Sequence, residues 1–348
     1  MFKPNFKYTD RMVDLLKRIA AAREIILSSP LIPRWKVSLR KEAIIRSAHF
    51  STSIEGNNLT LEQVSALAAG RKIMARRKDR QEVLNYIQVL EGLDTLTADG
   101  MYTEAVIKNI HKLLTKATLD DPLDCGAYRS ERDKYVVVGN RLTGEVSFRP
   151  PPNEEVAPLM TGYTQWLNSS QVRVLDPVVV AGIAHYELVR IHPFVDGNGR
   201  TARVIAALTL HLGGFDTNQF FCLDDYYDMN RSDYYRALRT VDPVARDVTQ
   251  WLEYFIEGVA VSIDSVRERV ARLSSERIRA STRGQIALSE RQMRIVERIN
   301  KDGRITIAGM VSMFSITRQA ALKEIDKMID LGVVRREGRA RASYYVMK

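Results

Sequence analysis

His192-Pro193-Phe194-Val195-Asp196-Gly197-Asn198-Gly199-Arg200-Thr201-Ala202-Arg203 stands between two strongly apolar segments, Pro177–Arg190 and Thr201–Leu212. Each flank has the length and apolar content of a buried helix, and the second stops at Gly213-Gly214. Two core helices joined by a glycine-containing turn make the surrounding domain mainly α.

Working outward, the helical period recurs in Asp10–Ala22, Glu42–Phe50, Thr60–Ala69, Gln81–Leu93 and Thr103–Thr115. Residues 71–81 (RKIMARRKDRQ) read as a basic connector. Lys134–Gly139 and Glu145–Arg149 flank the turn-forming Asn140–Gly144, which predicts a β-hairpin closed by Pro150–Pro152. Further helices are predicted over Glu154–Asn168, Arg231–Thr240 and Asp247–Leu273. Residues 274–288 are polar and basic with no apolar face, the expected linker. Beyond it lie three helical candidates, Glu290–Asn300, Ile307–Phe314 and Thr317–Leu331, then two short alternating strands, Val333–Arg336 and Ala342–Met347. That order is the winged helix-turn-helix arrangement. The expected organisation is a helical region over 1–100, a core over 101–273 carrying the hairpin, the linker, and a winged helix over 289–348.

Composition limits the function classes. With 348 residues, 45% hydrophobic and 27% charged, the chain has the balance of a soluble globular protein. Its apolar stretches fall short of the roughly 18 residues a membrane span needs. The opening MFKPNFKYTDRM has no apolar core after its lysines, so no secretory signal is expected. Two cysteines, Cys125 and Cys222, are too few for a disulfide framework or structural zinc site, and a reducing, cytoplasmic setting is expected. The net charge of +10 is uneven: residues 265–348 hold 19 Lys+Arg against 9 Asp+Glu, and the rest of the chain is neutral. Such asymmetry points to an appended module meeting an anionic partner, nucleic acid first, with a solvated basic helix as the alternative.

Chemistry concentrates in 192–203. Gly197 and Gly199 permit a tight turn whose successive N–H groups form an anion-binding concavity. The following helix directs its N-terminal N–H groups to the same spot. Arg200 and Arg203, three apart, can offer forks to phosphate from one helical turn. Asp196 is a hard oxygen ligand suited to Mg²⁺, and His192 can take a proton near neutral pH. A P-loop would need a lysine that is absent, and a dinucleotide fingerprint would need a preceding strand. A lone G-x-G would be an ordinary inter-helix turn. With His192, Asp196, Arg200 and Arg203 added, it reads as a nucleoside-triphosphate site for group transfer.

The string HPFVDGNGRTAR resembles the signature of the Fic family of adenylyl transferases, H-P-F-x-[D/E]-G-N-G-R-x-x-R, at every defined position. Weaker similarity accompanies it in GAYR (126–129), AHYELVRI (184–191), NRSDYYRAL (230–238) and WLEYFIEG (251–258). The resemblance implies a Fic-type helical core with the hairpin as a flap, ATP as substrate and Mg²⁺ or Mn²⁺ as cofactor. His192 would be the general base toward a target hydroxyl, which attacks the α-phosphorus as pyrophosphate leaves. Asp196 would hold the metal. Gly197, Asn198, Gly199, Arg200, Thr201 and Ala202 would line the phosphates, and Arg203 would grip the γ-phosphate. In the related Doc-type kinases a Lys replaces Gly199, so Gly199 favours AMP transfer. Ala202 stands where many members carry Gly. Val189 and Tyr235 would belong to the adenine pocket, although aromatics at helical spacing such as Tyr234 and Tyr235 are commonly core. Pro193 and Phe194 read as scaffold.

Ser51-Thr52-Ser53-Ile54-Glu55-Gly56-Asn57 ends a predicted helix, with Gly56 or Asn57 able to take the left-handed cap. By itself Glu55 is a surface carboxylate before a turn. S-x-x-x-E-G, however, resembles the inhibitory-helix motif of the Fic family, in which Ser51, Glu55 and Gly56 would be the inhibitory residues. Glu55 would pair with Arg203 in place of the γ-phosphate; in some relatives such a Glu also helps remove AMP. The 134–149 hairpin would hold a target segment by strand addition. In the last module, Arg318 at the start of the third helix and Arg335, Arg336, Arg339 and Arg341 around the hairpin would contact DNA. Winged helices also dock proteins or dimerise, and a homodimer stays open. Two functions follow: an autoinhibited protein adenylyltransferase acting on a Ser, Thr or Tyr hydroxyl of a target or of itself, or a DNA-binding regulator whose Fic-like domain senses nucleotide. Another nucleotide-derived transfer is a lesser third.

Overall fold

The computed structural model describes residues 2–348 apart from 30, 98, 131–137, 140–145, 216–219, 243, 283–287 and 339–342; side chains of 33, 34, 138, 139, 146, 147 and 275–282 are also outside the description. The described chain is mainly helical. In order it forms α1 (Asp10–Ser28), α2 (Pro33–Ile54), α3 (Leu61–Ala68), α4 (Arg77–Glu91) and α5 (Glu104–Thr115). A two-stranded antiparallel pair follows, β1 (Val138–Gly139) and β2 (Val146–Phe148), in the register Val138 to Phe148 and Gly139 to Val146. Next come α6 (Asn153–Leu167), α7 (Pro177–Ile191), α8 (Asn198–Leu212), α9 (Asp224–Met229), α10 (Arg231–Arg239) and α11 (Thr249–Thr282). The last elements are α12 (Glu290–Asp302), α13 (Ile307–Phe314), α14 (Arg318–Asp330), β3 (Val334–Glu337) and β4 (Tyr344–Met347). None of the helices, among the described residues, is long and apolar enough to cross a membrane.

The chain divides into two units, 1–28 with 39–268, and 29–38 with 269–348. In the first, α7 is the central element: Val178 through Leu188 are all buried. That is why its sequence is apolar all round rather than striped. Trp251 in α11 donates its indole N–H to Gly182 O at 2.8 Å, and both Trp251 and Phe255 are fully buried. A methyl at Gly182 would lie 3.0 Å from the Phe255 ring, so only glycine admits this approach. Each large apolar side chain so buried stabilises by about 1.5–3 kcal/mol. The second unit packs α12, α13 and α14 with β3 and β4 around Ile295, Ile299, Met310, Ile325, Met328, Val334 and Tyr345. Ser289, Thr306 and Thr317 cap its three helices by accepting from the backbone N–H three residues on.

Several boundaries differ from the sequence reading. Helix α8 begins at Asn198, so Asn198-Gly199-Arg200 is its first turn and not a loop. Helix α4 starts at Arg77, inside the stretch read as connector. Helix α11 runs to Thr282, nine residues into the stretch read as linker. Periodicity cannot detect a helix continuing through polar, basic sequence with no apolar stripe. Most of the expected 134–149 hairpin lies outside the described residues.

Candidate active site

The α7–α8 connection owes its shape to specific groups. Helix α7 opens with Pro177 and is capped by Asp176, whose carboxylate accepts from Val178 N at 2.8 Å. It closes on His192, which is left-handed at φ 51° and ψ 56°. Histidine visits that region more readily than most residues, but it still needs support. Arg129 supplies it. Its Nε donates to His192 O at 2.7 Å, its Nη2 to Ile191 O at 3.2 Å and Pro151 O at 2.5 Å, and its backbone N to Pro193 O at 2.8 Å. His192 Nδ1 lies 3.2 Å from Val189 O. A carbonyl only accepts, so Nδ1 carries the proton and Nε2 keeps its lone pair. Burial lowers the His192 pKa, outweighing the Val189 bond that raises it. The imidazole is therefore a neutral base at physiological pH.

The turn is clamped from both sides. Asn198 Oδ1 accepts from Phe194 N at 2.9 Å and Nδ2 donates to Phe194 O at 2.8 Å. The Phe194 ring stacks on His111 with centroids 3.7 Å apart. His111 Nδ1 accepts from Gly126 N at 2.9 Å, so its Nε2 must donate to Asp196 O at 2.9 Å. Burial pushes the His111 pKa down to about 4, keeping that tautomer neutral. Gly197 has φ 78°, and a methyl there would lie 2.8 Å from Thr115 Cγ2. Both conformation and space demand glycine.

Two arginines of α8 meet different acids. Arg200, 2% exposed, has Nη1 at 3.3 Å from Glu82 and Nη2 at 3.4 Å from Asp196. Its Nε and Nη1 make no hydrogen bond among the described residues, leaving donors an incoming anion would satisfy. Arg203 donates from Nε to Ser51 Oγ at 2.6 Å and from Nη2 to Ser51 O at 2.9 Å and Glu55 Oε1 at 2.8 Å. Asp224 Oδ1 is 3.4 Å from the same Nε. The Glu55 carboxylate also presses on Gly199, so a methyl at Gly199 would collide with Oε1. A carboxylate thus sits at the positive end of α8, where an anion is favoured. Asp196 is half-exposed and accepts from Gly197 N at 2.5 Å. Burial would raise its pKa, but Arg200 and the Gly197 N–H hold it below the ordinary carboxylate value.

Residues 101–210 match the model of the Fic/DOC family. Among curated proteins, the chain is 27% identical over 266 residues to the protein adenylyltransferase Fic of Nematostella vectensis, spanning 74% of this chain and 59% of that one. It is 32% identical over 179 residues to the protein of the same name from Drosophila erecta, spanning 51% of this chain and 34% of that one. The chain therefore spans less than two thirds of these relatives. In fold it is similar to a Fic family protein from Desulfovibrio desulfuricans G20, with a TM-score of 0.64 at 24% identity, covering 100% of this chain and 98% of that one. Fic-1 from C. elegans (aa134–508) superposes with a TM-score of 0.61 at 24% identity, covering 76% of this chain and 73% of that one. The architecture is a mainly α, Fic-type fold.

Around this site the structure redistributes some expected roles. The Asn198 side chain is committed to Phe194, and the Thr201 hydroxyl donates to Gly197 O at 2.8 Å. Both build the turn, as does the fully buried Ala202, so only backbone N–H groups remain there for phosphate. Arg200 and Arg203 pair with separate carboxylates instead of converging on one point. Gly56 takes the left-handed conformation at φ 92°. Asn57 instead ties α4 to the turn, its Nδ2 donating to Asp79 O at 2.9 Å and Glu82 Oε2 at 3.0 Å. Tyr234 is buried with its hydroxyl 3.2 Å from His185 Nε2, whereas Tyr235 is 38% exposed. Val189 is partly buried and contributes its carbonyl to His192. The Phe148 and His192 ring centroids are 6.5 Å apart, which brings β2 to the base.

Arg129, His111, Glu82 and Asp224 were not singled out by the sequence, because their partners are distant along the chain. No group of three or more His, Cys, Asp or Glu suited to a metal is found among the described residues. Asp196 is thus not part of a preassembled ligand cluster among the described residues. It suits Mg²⁺ or Mn²⁺ as an ion whose other ligands are phosphate oxygens and water. An apolar cavity walled by Ile44, Tyr86, Leu90 and Phe221 opens beside Arg203 and Asp224, and neither His192 nor Asp196 lines it.

In the second unit, Arg318 begins α14. Arg335 pairs with Glu337 at 3.0 Å and Arg336 donates to Ser343 Oγ at 2.7 Å. The shallow groove along α14 has mixed charge, with Lys323 and Lys327 beside Asp326 and Asp330. Arg339 and Arg341 lie outside the described residues.

Proposed function

We propose that this chain is a protein adenylyltransferase that moves AMP from ATP to a Ser, Thr or Tyr hydroxyl of a target protein or of itself, and that Glu55 restrains it. The observation that carries the reading is the Glu55 carboxylate seated on Gly199 and Arg203 at the N-terminus of α8. Where a carboxylate is held by a helix end and a buried guanidinium, a phosphate fits with more charge and more acceptors. When Glu55 withdraws, Arg203 takes the γ-phosphate, while Arg200 and the first N–H groups of α8 meet the rest of the chain of phosphates. Asp196 would hold Mg²⁺ or Mn²⁺, which when bound offsets phosphate charge.

The transfer then balances. His192 Nε2 takes the proton of the target hydroxyl, that oxygen bonds to the α-phosphorus, and the bond from the α-phosphorus to the bridging oxygen breaks to release pyrophosphate. The target segment docks along the 134–149 hairpin, a reading supported by Phe148 beside His192. Removal of AMP, with Glu55 orienting water, belongs to the same proposal. ATP as substrate and two free thiols suit a cytoplasmic setting.

The test is mass spectrometry of the Glu55→Gly protein after incubation with ATP and Mg²⁺. It should gain AMP on itself or on an added protein, about 100-fold faster than wild type if the restraint amounts to a few kcal/mol. Adding His192→Ala should abolish the gain. Equal transfer by wild type and Glu55→Gly would remove Glu55 from this role, and no transfer by either would overturn the enzyme reading.

For the second unit we propose contact with nucleic acid phosphates through Arg318, Arg335 and Arg336, supported by the concentration of the chain's charge excess there. Binding to duplex DNA should weaken steeply with salt. Salt-independent or absent binding would leave protein docking or homodimerisation as its use.

A further inference from the structure

Arg203 lies between two carboxylates, and the proposed reaction accounts for one. Its terminal Nη2 faces Glu55, the group a phosphate would replace. Its Nε edge faces Ser51 Oγ at 2.6 Å and Asp224 Oδ1 at 3.4 Å. Asp224 opens α9 and is 7% exposed. Tyr86 donates its hydroxyl to Asp224 Oδ1 at 3.4 Å, and the Ser47 and Ser51 side chains favour the charged carboxylate. A carboxylate buried this deeply near the cation of an anion site weakens the field available to phosphate, so its retention calls for a return.

The return follows from what leaves. Ser51 and Glu55 belong to one helix end, α2, so a withdrawal that frees the anion site strips Arg203 of both. Asp224 stays, because it belongs to another element. We propose that Asp224 is the positioning residue of Arg203: it anchors the Nε edge once α2 gives way, keeping the terminal nitrogens aimed at the γ-phosphate. Asp224 touches no reacting atom. The proposal rests on the nucleotide reading above.

Its titration gives a second handle. Burial pushes the Asp224 pKa up to about 6, against the lowering by Arg203, Ser47 and Ser51 and with a further push from Asp225. The groups that face it are Arg203 from α8, Tyr86 from α4, Ser47 and Ser51 from α2, and Cys222, Asp225 and Tyr227 from its own segment. Below pH 6 the protonated Asp224 loses most of its hold on Arg203.

The experiment measures ATP and ADP affinities by calorimetry in Glu55→Gly and in Glu55→Gly with Asp224→Asn. Near neutral pH the added change should weaken ATP about tenfold, as expected when a buried guanidinium loses the charge that faces it, and ADP less than about twofold. Below pH 6 the two proteins should converge, since ATP's own protonation is common to both. Asp224→Glu should restore the preference for ATP. If Asp224→Asn unfolds the domain, Tyr86→Phe should show the same ATP-selective loss at smaller amplitude. Equal losses for ATP and ADP, or none, would overturn the positioning role. Failure of Glu55→Gly to bind either nucleotide would instead sink the nucleotide reading and the proposal with it.

Discussion

Arg203 and Arg335 carry the same side chain in opposite surroundings. Arg203 is buried, holds Ser51 and Glu55 at 2.6–2.9 Å and faces Asp224. Its side chain is 2% exposed, against 61% for Arg335, which pairs with a glutamate two residues along the same strand. In the first place water and salt are excluded and each contact is held by packing; in the second both screen the charge. A buried arginine can therefore define a binding geometry, whereas an exposed one adds to a field. The 192–203 region is built for the first task and the α14–β3 region for the second.

The largest expected effect breaks the buried side. Arg203→Met leaves Glu55 and Asp224 without their cation and should cost about 3–5 kcal/mol by urea unfolding. In a Glu55→Gly background the cost should shrink, because one stranded carboxylate is gone. A loss below about 1 kcal/mol would place Arg203 with the surface arginines.

Acid titration sharpens the same contrast. Burial pushes His111 down to about 4 and His185 to about 3, whereas both titrate near 6.5 when unfolded. From pH 6.5 down to 4 the unfolded chain binds more protons at these residues, so stability falls. Asp224, raised to about 6, opposes this, since the folded state takes up its proton first. Two losses outweigh one gain, and stability should drop across the window. His111→Gln should flatten the drop by about 3 kcal/mol at most. An unchanged slope in stepwise-pH unfolding would show that His111 is not held neutral.

The smallest effect is expected at the exposed pair. Arg335→Ala should change stability by under about 0.5 kcal/mol and lower the salt slope of DNA binding by about one. A large stability loss would mean that the strand depends on Arg335 as Glu55 and Asp224 depend on Arg203.

This difference also explains what was legible. The residues of 192–203 stand side by side in the chain, so the chemistry they suggest reads from a contiguous string. The Glu55–Arg203 pair bridges 148 positions and was expected only through the inhibitory motif. His111 and Glu82 left no signal, His111 in an amphipathic helix and Glu82 beside a basic run, while Arg129 entered only within the GAYR similarity and without a role. Asn198 was misread for a simple reason. Gly-Asn-Gly favours turns by intrinsic preference, but the clasp of Asn198 on Phe194 allows the helix to start there. Residues 274–282 read as linker because helix without an apolar face has no period to detect.

The most direct test is a crystal structure of the Glu55→Gly protein with a non-hydrolysable ATP analogue. Phosphate density should lie at the N-terminus of α8, with Arg203 on the terminal phosphate and His192 Nε2 facing the α-phosphorus. Nucleotide in the apolar cavity beside Tyr86 and Phe221, or His192 turned from the phosphates, would contradict the account.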